Sequence, residues 1–423
     1  MSQGDNAAVA ESAWQAASTE PAAPLSAART RLALLALALG GFGIGATEFV
    51  AMGLLPNLAH GLLPALYATT PAAANAQAGW LVSTYALGVV VGAPTIATFA
   101  ARFPRKQLLL CLAAAFTVAT VASALLPSFG LVLLARFVAG LPHGAYFGVA
   151  SLVAASLMGP GRRARGVALV LSGLTIANVV GVPAITLLGQ TTSWRVAYLA
   201  VAAIFAMSFV AIAFLVPFQA GDSGATMKRE LKAFGRCQVW LALLIGAVGF
   251  GGFFAVYTFI SPLVTEVTGL GAGFVPVVLV VVGLGMTGGN ILGGWSADRN
   301  MMASIFGFFG LFAVSLLGLA LTASSVLGLL VFTFMVGASA AALSPAIQTR
   351  LMDVAGDSQT LAAAVNHASL NLGNSLGVYL GGVTIVAGFG YLSPSWVGLG
   401  LCVPGVGLAA ASVLLERKRP ILY

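Results

Sequence analysis

Arg31-Leu-Ala-Leu-Leu-Ala-Leu-Ala-Leu-Gly-Gly-Phe-Gly-Ile-Gly-Ala-Thr-Glu-Phe-Val-Ala-Met-Gly-Leu-Leu-Pro56 is one apolar stretch that carries a single carboxylate, Glu48. At about 1.5 Å per residue, a run of this length crosses a hydrocarbon core about 30 Å thick as a helix. A charge at that depth costs on the order of 3 kcal/mol or more, so such residues are rare and mark ion or proton pathways by default. Glu48 is therefore the expected centre of mechanism.

Similar stretches recur along the 423 residues, 59% of which are hydrophobic and 7% charged, against about 25% charged in a soluble domain. Mean hydropathy is +1.01. The pattern predicts an all-α integral membrane protein. Lipid offers the backbone no partners, and the continuous apolar runs lack the alternation of a barrel strand. Twelve transmembrane helices are expected near 32–55, 79–100, 107–127, 130–158, 167–189, 196–217, 239–262, 272–295, 302–322, 325–347, 364–388 and 394–415.

The formal charge of +8 does not signal nucleic acid, because its placement follows topology. Basic residues collect in alternate connections: Arg29 and Arg31; Arg102, Arg105 and Lys106; Arg162, Arg163 and Arg165; Lys228, Arg229, Lys232 and Arg236; Arg299; Arg350; and Arg417, Lys418 and Arg419. Arg195 falls on the other side, and Arg136 falls inside the membrane. The asymmetry places both termini in the cytoplasm. The expected organisation is a disordered cytoplasmic tail at 1–28, a six-helix bundle at 29–218, a cytoplasmic linker at 219–238, a second bundle at 239–416 and a basic tail at 417–423.

Gly41-Phe42-Gly43 of span one recurs as Gly249-Phe250-Gly251 of span seven, and Arg102 after span two has a counterpart in Ala297-Asp298-Arg299 after span eight. Two parallel repeats rocking about a midplane site form a transporter architecture. Cys111, Cys237 and Cys402 show no metal-like spacing and no disulfide framework. No Gly-Lys-Ser/Thr phosphate loop occurs. With one deeply buried carboxylate and no Ser/His constellation, an intramembrane enzyme or a receptor remains only a remote alternative.

Counting along spans one and four puts Glu48 and Arg136 at matching depth, roughly 10 Å below the outer boundary. Proximity is expected, directly or through one water, since pairing lowers the cost of burying either charge. Arg136, Gly140, His143 and Phe147 follow i, i+4, i+7, i+11 and share a stripe predicted to face a cavity, while Pro142 permits a kink. His143 reads equally as a proton relay or a hydrogen-bonded packing histidine. His60 and His367, near predicted span ends, are expected to be structural. Aligning the GFG segments puts Val256 opposite Glu48, and span seven offers Phe250, Phe254 and Tyr257 as an uncharged wall. Tyr85, Asn178, Asn290, Asn371 and Asn374 are further intramembrane polar groups, read singly as helix-to-helix hydrogen bonding and together as cavity lining.

Residues 30–416 resemble the major facilitator superfamily, specifically the arabinose-efflux-permease-like group of its twelve-span drug/proton antiporters. The resemblance is carried by Gly45-Ala-Thr-Glu-Phe-Val-Ala-Met-Gly53, Tyr85-Ala-Leu-Gly-Val-Val-Val-Gly-Ala-Pro94 and Arg136-Phe-Val-Ala-Gly-Leu-Pro-His-Gly-Ala-Tyr-Phe-Gly148. Gly173 to Pro183, with Gly181, is similar to the motif that bends span five in these antiporters. The family's loop after span two usually has an aspartate beside its arginine, whereas Ala101 precedes Arg102 here; the intact form, Gly294 to Asp298-Arg299, follows span eight. The resemblance implies proton-coupled efflux of drug-like molecules, sugars or related metabolites by a multi-pass protein of the bacterial inner membrane. Protons are the expected coupling ion, with no other cofactor, and the chain is expected to be a monomer. Import by proton symport or uniport is the alternative.

Overall fold

The computed structural model describes residues 26–100, 103–159, 162–219, 235–355 and 359–418. Arg102, Lys228, Arg229, Lys232, Arg419, most of the expected N-terminal tail and most of the linker lie outside the described residues. Every regular element among those described is helical.

Eleven of these segments are long and apolar enough to cross a membrane: Ala27–Gly53, Pro71–Ile96, Arg105–Leu125, Phe129–Met158, Arg165–Thr191, Trp194–Leu215, Cys237–Thr258, Ala272–Thr322, Val326–Val354, Val365–Phe389 and Ser393–Glu416. The eighth, at 51 residues, is about twice the length one crossing needs. It is broken at Asn300, whose φ of −157° and ψ of 95° are not helical. Divided there, it supplies spans eight and nine, which makes twelve crossings and brings both ends of the bundle to one face. That face is called the terminal face below, and the opposite one the distal face.

Two expectations require correction, and one connection carries structure of its own. The chain between spans one and two folds as Leu55–Leu62, Pro64–Thr69 and Pro71–Ala78. Each of these helices has a proline in its first turn, where the missing N–H has no helical partner to lose. Gly294, Asp298 and Arg299 lie on helix and not in a loop. Asp298 is exposed, and Arg299 places its guanidinium 3.4 Å from the Trp295 ring centroid. Arg350, expected in a cytoplasmic connection, is buried near the terminal end of span ten. It pairs with Glu416 of span twelve at 2.9 Å and donates to Gln238 of span seven and Ser412.

Glycine close approach repeats between the halves. A methyl group at Gly173 of span five would collide with the carbonyl of Ala38 in span one, and one at Gly373 of span eleven with that of Ala247 in span seven. In the same way Gly88 and Gly92 of span two lie on the backbone of Phe137 and Leu141 in span four, and Gly285, Gly289 and Gly293 of span eight lie on Phe334, Ala338 and Ala342 in span ten. Small residues let membrane helices meet backbone to backbone, where dispersion replaces the missing hydrophobic drive. These corresponding contacts are the repeat in physical form.

From the centre to the distal face the halves are in contact. Phe49 stacks on Phe254 at 6.2 Å and meets Tyr257 edge-on at 5.6 Å. Ser375 donates to the Ser83 carbonyl at 3.1 Å, and Asn75 to the Tyr391 hydroxyl at 2.8 Å.

Candidate functional site

At the centre, where the halves meet, a cavity of about 140 Å³ is lined by Glu48, His143, Asn178 and Thr175 from the first half and by Phe250, Phe254, Asn290, His367 and Asn371 from the second. Both repeats contribute, as a midplane site between rocking halves requires.

Glu48 is 5% exposed. It is placed by span one, whose Gly40 to Gly45 segment packs tightly on Tyr146, Phe147, Phe205 and span five. Its titratable neighbour within 4.0 Å is His143, Nδ1 to Oε2, and that ring also shares a 3.0 Å hydrogen bond with the Tyr85 hydroxyl. His143 opens the lower segment of span four, just after the interruption at Leu141 and Pro142, so the proline kink turns this ring inward.

The direct ion pair between Glu48 and Arg136 does not form. Arg136 is fully buried; its Nη1 donates to Thr47 Oγ1 at 3.0 Å and its Nε to the Leu81 carbonyl at 3.3 Å. Its guanidinium lies 4.4 Å from the Tyr85 ring centroid and 5.5 Å from that of Tyr198. Depth counting placed the two charges at one level, but consecutive residues point about 100° apart around a helix. The arginine meets the face carrying Thr47. Glu48, one residue on, turns to the cavity.

Of the other residues singled out in sequence, Asn178, Phe250, Phe254, Asn290 and Asn371 line the cavity beside Glu48 and His143. Tyr85 is set behind His143. Phe147 lies off the lining, stacked on His367 at 5.3 Å and 7°. Gly140 does not face the cavity, because it packs on the backbone of Tyr85. Tyr257 belongs to the contact between halves, stacked on Phe253 at 5.0 Å. Asn374 is fully buried near Glu48, and neither its Nδ2 nor its Oδ1 has a hydrogen-bond partner. In span five, Gly173 closes on span one, and a π turn at Ala177–Gly181 precedes Pro183. Such turns commonly sit at functional sites, and here it brings the Asn178 carbonyl against Gly283 of span eight.

His367 is the main residue whose role sequence reading misjudged. It lies near the end of span eleven, as expected, but it lines the cavity instead of serving packing alone, with its ring centroid 5.7 Å from that of His143. Phe49, Thr287 and Ser344 also join the lining. The neighbour of Glu48 was a usable signal for Phe49; nothing in the local pattern marked Thr287 or Ser344. His60 lies near the distal face, edge-on to Tyr67 at 5.3 Å.

A family model described as Major Facilitator Superfamily matches residues 37–327. The chain is 40% identical over 388 residues to the inner membrane transport protein YdhP of Escherichia coli K12, covering 92% of this chain and 96% of that one. It is 33% identical over 370 residues to a chloramphenicol resistance protein of Streptomyces lividans, covering 86% and 92%. The solved structure of a D-xylose-proton symporter superposes with a TM-score of 0.70 at 16% identity, over 88% of this chain and 96% of that one. The last likeness concerns the fold alone. A family match across more than half of the chain, joined to 40% identity along almost all of it, makes this protein a member of the Major Facilitator Superfamily, a transporter and not an enzyme.

Proposed function

We propose that the protein exports small amphipathic molecules across the bacterial inner membrane in exchange for protons, with both termini in the cytoplasm and Glu48 as the protonation switch. The observation that carries this reading is a buried carboxylate in a cavity built by both halves, with the His143 imidazole and not an arginine as its nearest titratable partner. Arg136, tied to Thr47 and Leu81, supplies a fixed positive field. Glu48 instead faces the cavity, with the Asn374 amide of the second half beside it, and its protonation state can follow its surroundings.

A proton drives the cycle only if its affinity differs between conformations. Opening toward the distal, periplasmic side exposes Glu48 to the more acidic compartment, where it takes up a proton; closing returns it to the cavity, where the proton leaves toward the cytoplasm as substrate enters. The central space of about 140 Å³ is below the roughly 300–1,000 Å³ of a drug-sized site. Substrate therefore needs the halves to part. A wall of amides and phenyl rings around one carboxylate favours neutral or zwitterionic amphipathic ligands. The similarity to a chloramphenicol resistance protein supports export of such compounds.

The test is export from proteoliposomes under an imposed proton gradient, with chloramphenicol as first probe in a wider panel. Glu48→Gln should lose gradient-driven flux and keep gradient-free exchange. Gradient-driven flux at the wild-type rate in that variant refutes the switch, and substrate moving in with the protons refutes export.

A further inference from the structure

Resting on the exchange reading above, we infer that His367 of the second half is the proton's exit relay, passing it from Glu48 and His143 toward the terminal face. Three titratable side chains form a staircase. Counted in residues along its own helix, Glu48 is furthest from the terminal end, His143 next and His367 nearest. Glu48 and His143 are buried at 5% and 2%, and His367, the last step, is partly exposed. Glu48 Oε2 is 4.0 Å from His143 Nδ1, and the two imidazole centroids are 5.7 Å apart. Each gap is spanned by one water or a ring rotation, within the reach proton transfer needs. All three residues border the same cavity.

Each hop conserves atoms and charge. The Glu48 carboxyl gives its proton to one nitrogen of His143; that ring releases a proton to His367; and His367 releases one to water on the terminal side, each ring regaining its neutral form. Imidazole suits the task because it binds a proton on one nitrogen while losing one from the other. The route joins the halves, since Glu48 and His143 belong to the first and His367 to the second. It is complete only where spans four and eleven touch.

The other ionisable groups on helices packed around His367 leave this role to it. Tyr85 is engaged with His143, Tyr146 donates to the Leu37 carbonyl, and Tyr257 is stacked in the contact between halves. Arg350 and Glu416 are closed on each other with Gln238 and Ser412, and Asp353 is exposed. The bland role for His367 is packing, because it stacks on Phe147. His367→Phe keeps that stack and removes the relay, which separates the two roles.

Full-length protein in liposomes, loaded with chloramphenicol as probe, is measured in two modes. For His367→Phe and His367→Gln, gradient-driven flux should fall about tenfold or more relative to each variant's own gradient-free exchange. Wild-type gradient-driven flux in both variants overturns the relay. If wild-type protein itself shows no gradient-driven flux, the exchange reading fails instead. A second measurement needs neither transport nor a stable His367 variant. The chain has three histidines, so nitrogen NMR of histidine-labelled protein resolves each ring, assigned by single His60 and His143 substitutions. The His367 titration midpoint should shift between wild type and Glu48→Gln. Identical His367 curves in the two proteins would show that no proton network joins them and overturn the proposal.

Discussion

Arg136→Lys keeps a positive charge in the centre and removes the guanidinium fork, so it tests whether Arg136 is an anchor or merely a charge. The fork makes two hydrogen bonds, 3.0 Å to Thr47 and 3.3 Å to Leu81, while its carbon centre lies 4.4 Å from the Tyr85 ring centroid. A lysine ammonium on a flexible stem cannot stack on Tyr85 and reach both oxygens at once. Intramembrane hydrogen bonds average about 0.6 kcal/mol, so losing both costs roughly 1.2 kcal/mol. A desolvated cation over a ring contributes about 2 kcal/mol, of which a displaced ammonium keeps about half. The expected destabilisation is therefore about 2 kcal/mol, a shift near thirtyfold in the folding equilibrium. Reversible unfolding of purified protein in mixed micelles of increasing SDS fraction reads this directly. A midpoint equal to wild type would mean that any positive charge suffices and that the observed bonds add nothing. Gradient-driven flux should fall with it, because Thr47, the anchor point, immediately precedes Glu48.

Gly283→Val puts a Cβ 2.5 Å from the Asn178 carbonyl oxygen and forces spans five and eight apart; spin-label distances across the distal mouth should lengthen, and unchanged distances would show that the closed contact does not depend on this glycine. Tyr391→Phe removes the 2.8 Å bond from Asn75, worth about 1 kcal/mol, and should raise the distal-open population about fivefold in the same measurement. Burial pushes the Tyr391 hydroxyl above its ordinary value of 10.0, so the phenol stays protonated and this latch should show no pH dependence between about pH 5 and 9; a latch that titrates in that window contradicts the assignment. Asn374→Leu replaces a fully buried amide whose Nδ2 and Oδ1 both lack partners. The cost of the unpaired groups, about 1–3 kcal/mol, should reappear as higher stability in SDS titration, with reduced proton coupling; lower stability would show that the amide is satisfied in the resting protein.

The crossings were legible because hydropathy and proline punctuation act locally. Arg105–Leu125 and Phe129–Met158 begin within a few residues of the expected positions, where Pro104 and Ser128 open the helices. Asp298, Arg299 and Asn300 resembled a loop by polarity, yet all lie within a segment that stays helical on either side of one bent residue. Azimuth was harder to read. Sequence depth placed Glu48 level with Arg136, but which face each helix turns inward depends on neighbours that the apolar pattern of a membrane bundle does not specify, since lipid-facing and core-facing residues are both hydrophobic. His367 was lost for a related reason: its place near the end of span eleven is legible in sequence, but whether it lines the cavity depends on the neighbouring spans it meets there.

The central charges separate into one that is fixed and one that can change. Arg136 donates from Nη1 to Thr47 and from Nε to Leu81, both of the first half, and lies between two tyrosines, while its Nη2 has no hydrogen-bond partner, so rocking of the second half against the first leaves its field on the first half intact. Glu48 borders the cavity, and the groups that vary around it come from the other half: His367, Asn371, and Asn374 with its two idle amide atoms. When the halves part, those amides and the second imidazole withdraw while the arginine stays. On the proposed exchange reading, movement of these neutral donors and acceptors around Glu48 contributes to the change in proton affinity that a coupled cycle requires. That reading places coupling on a single cavity carboxylate, with no acidic counterpart in the second repeat, where alignment of the two GFG segments sets Val256 against Glu48.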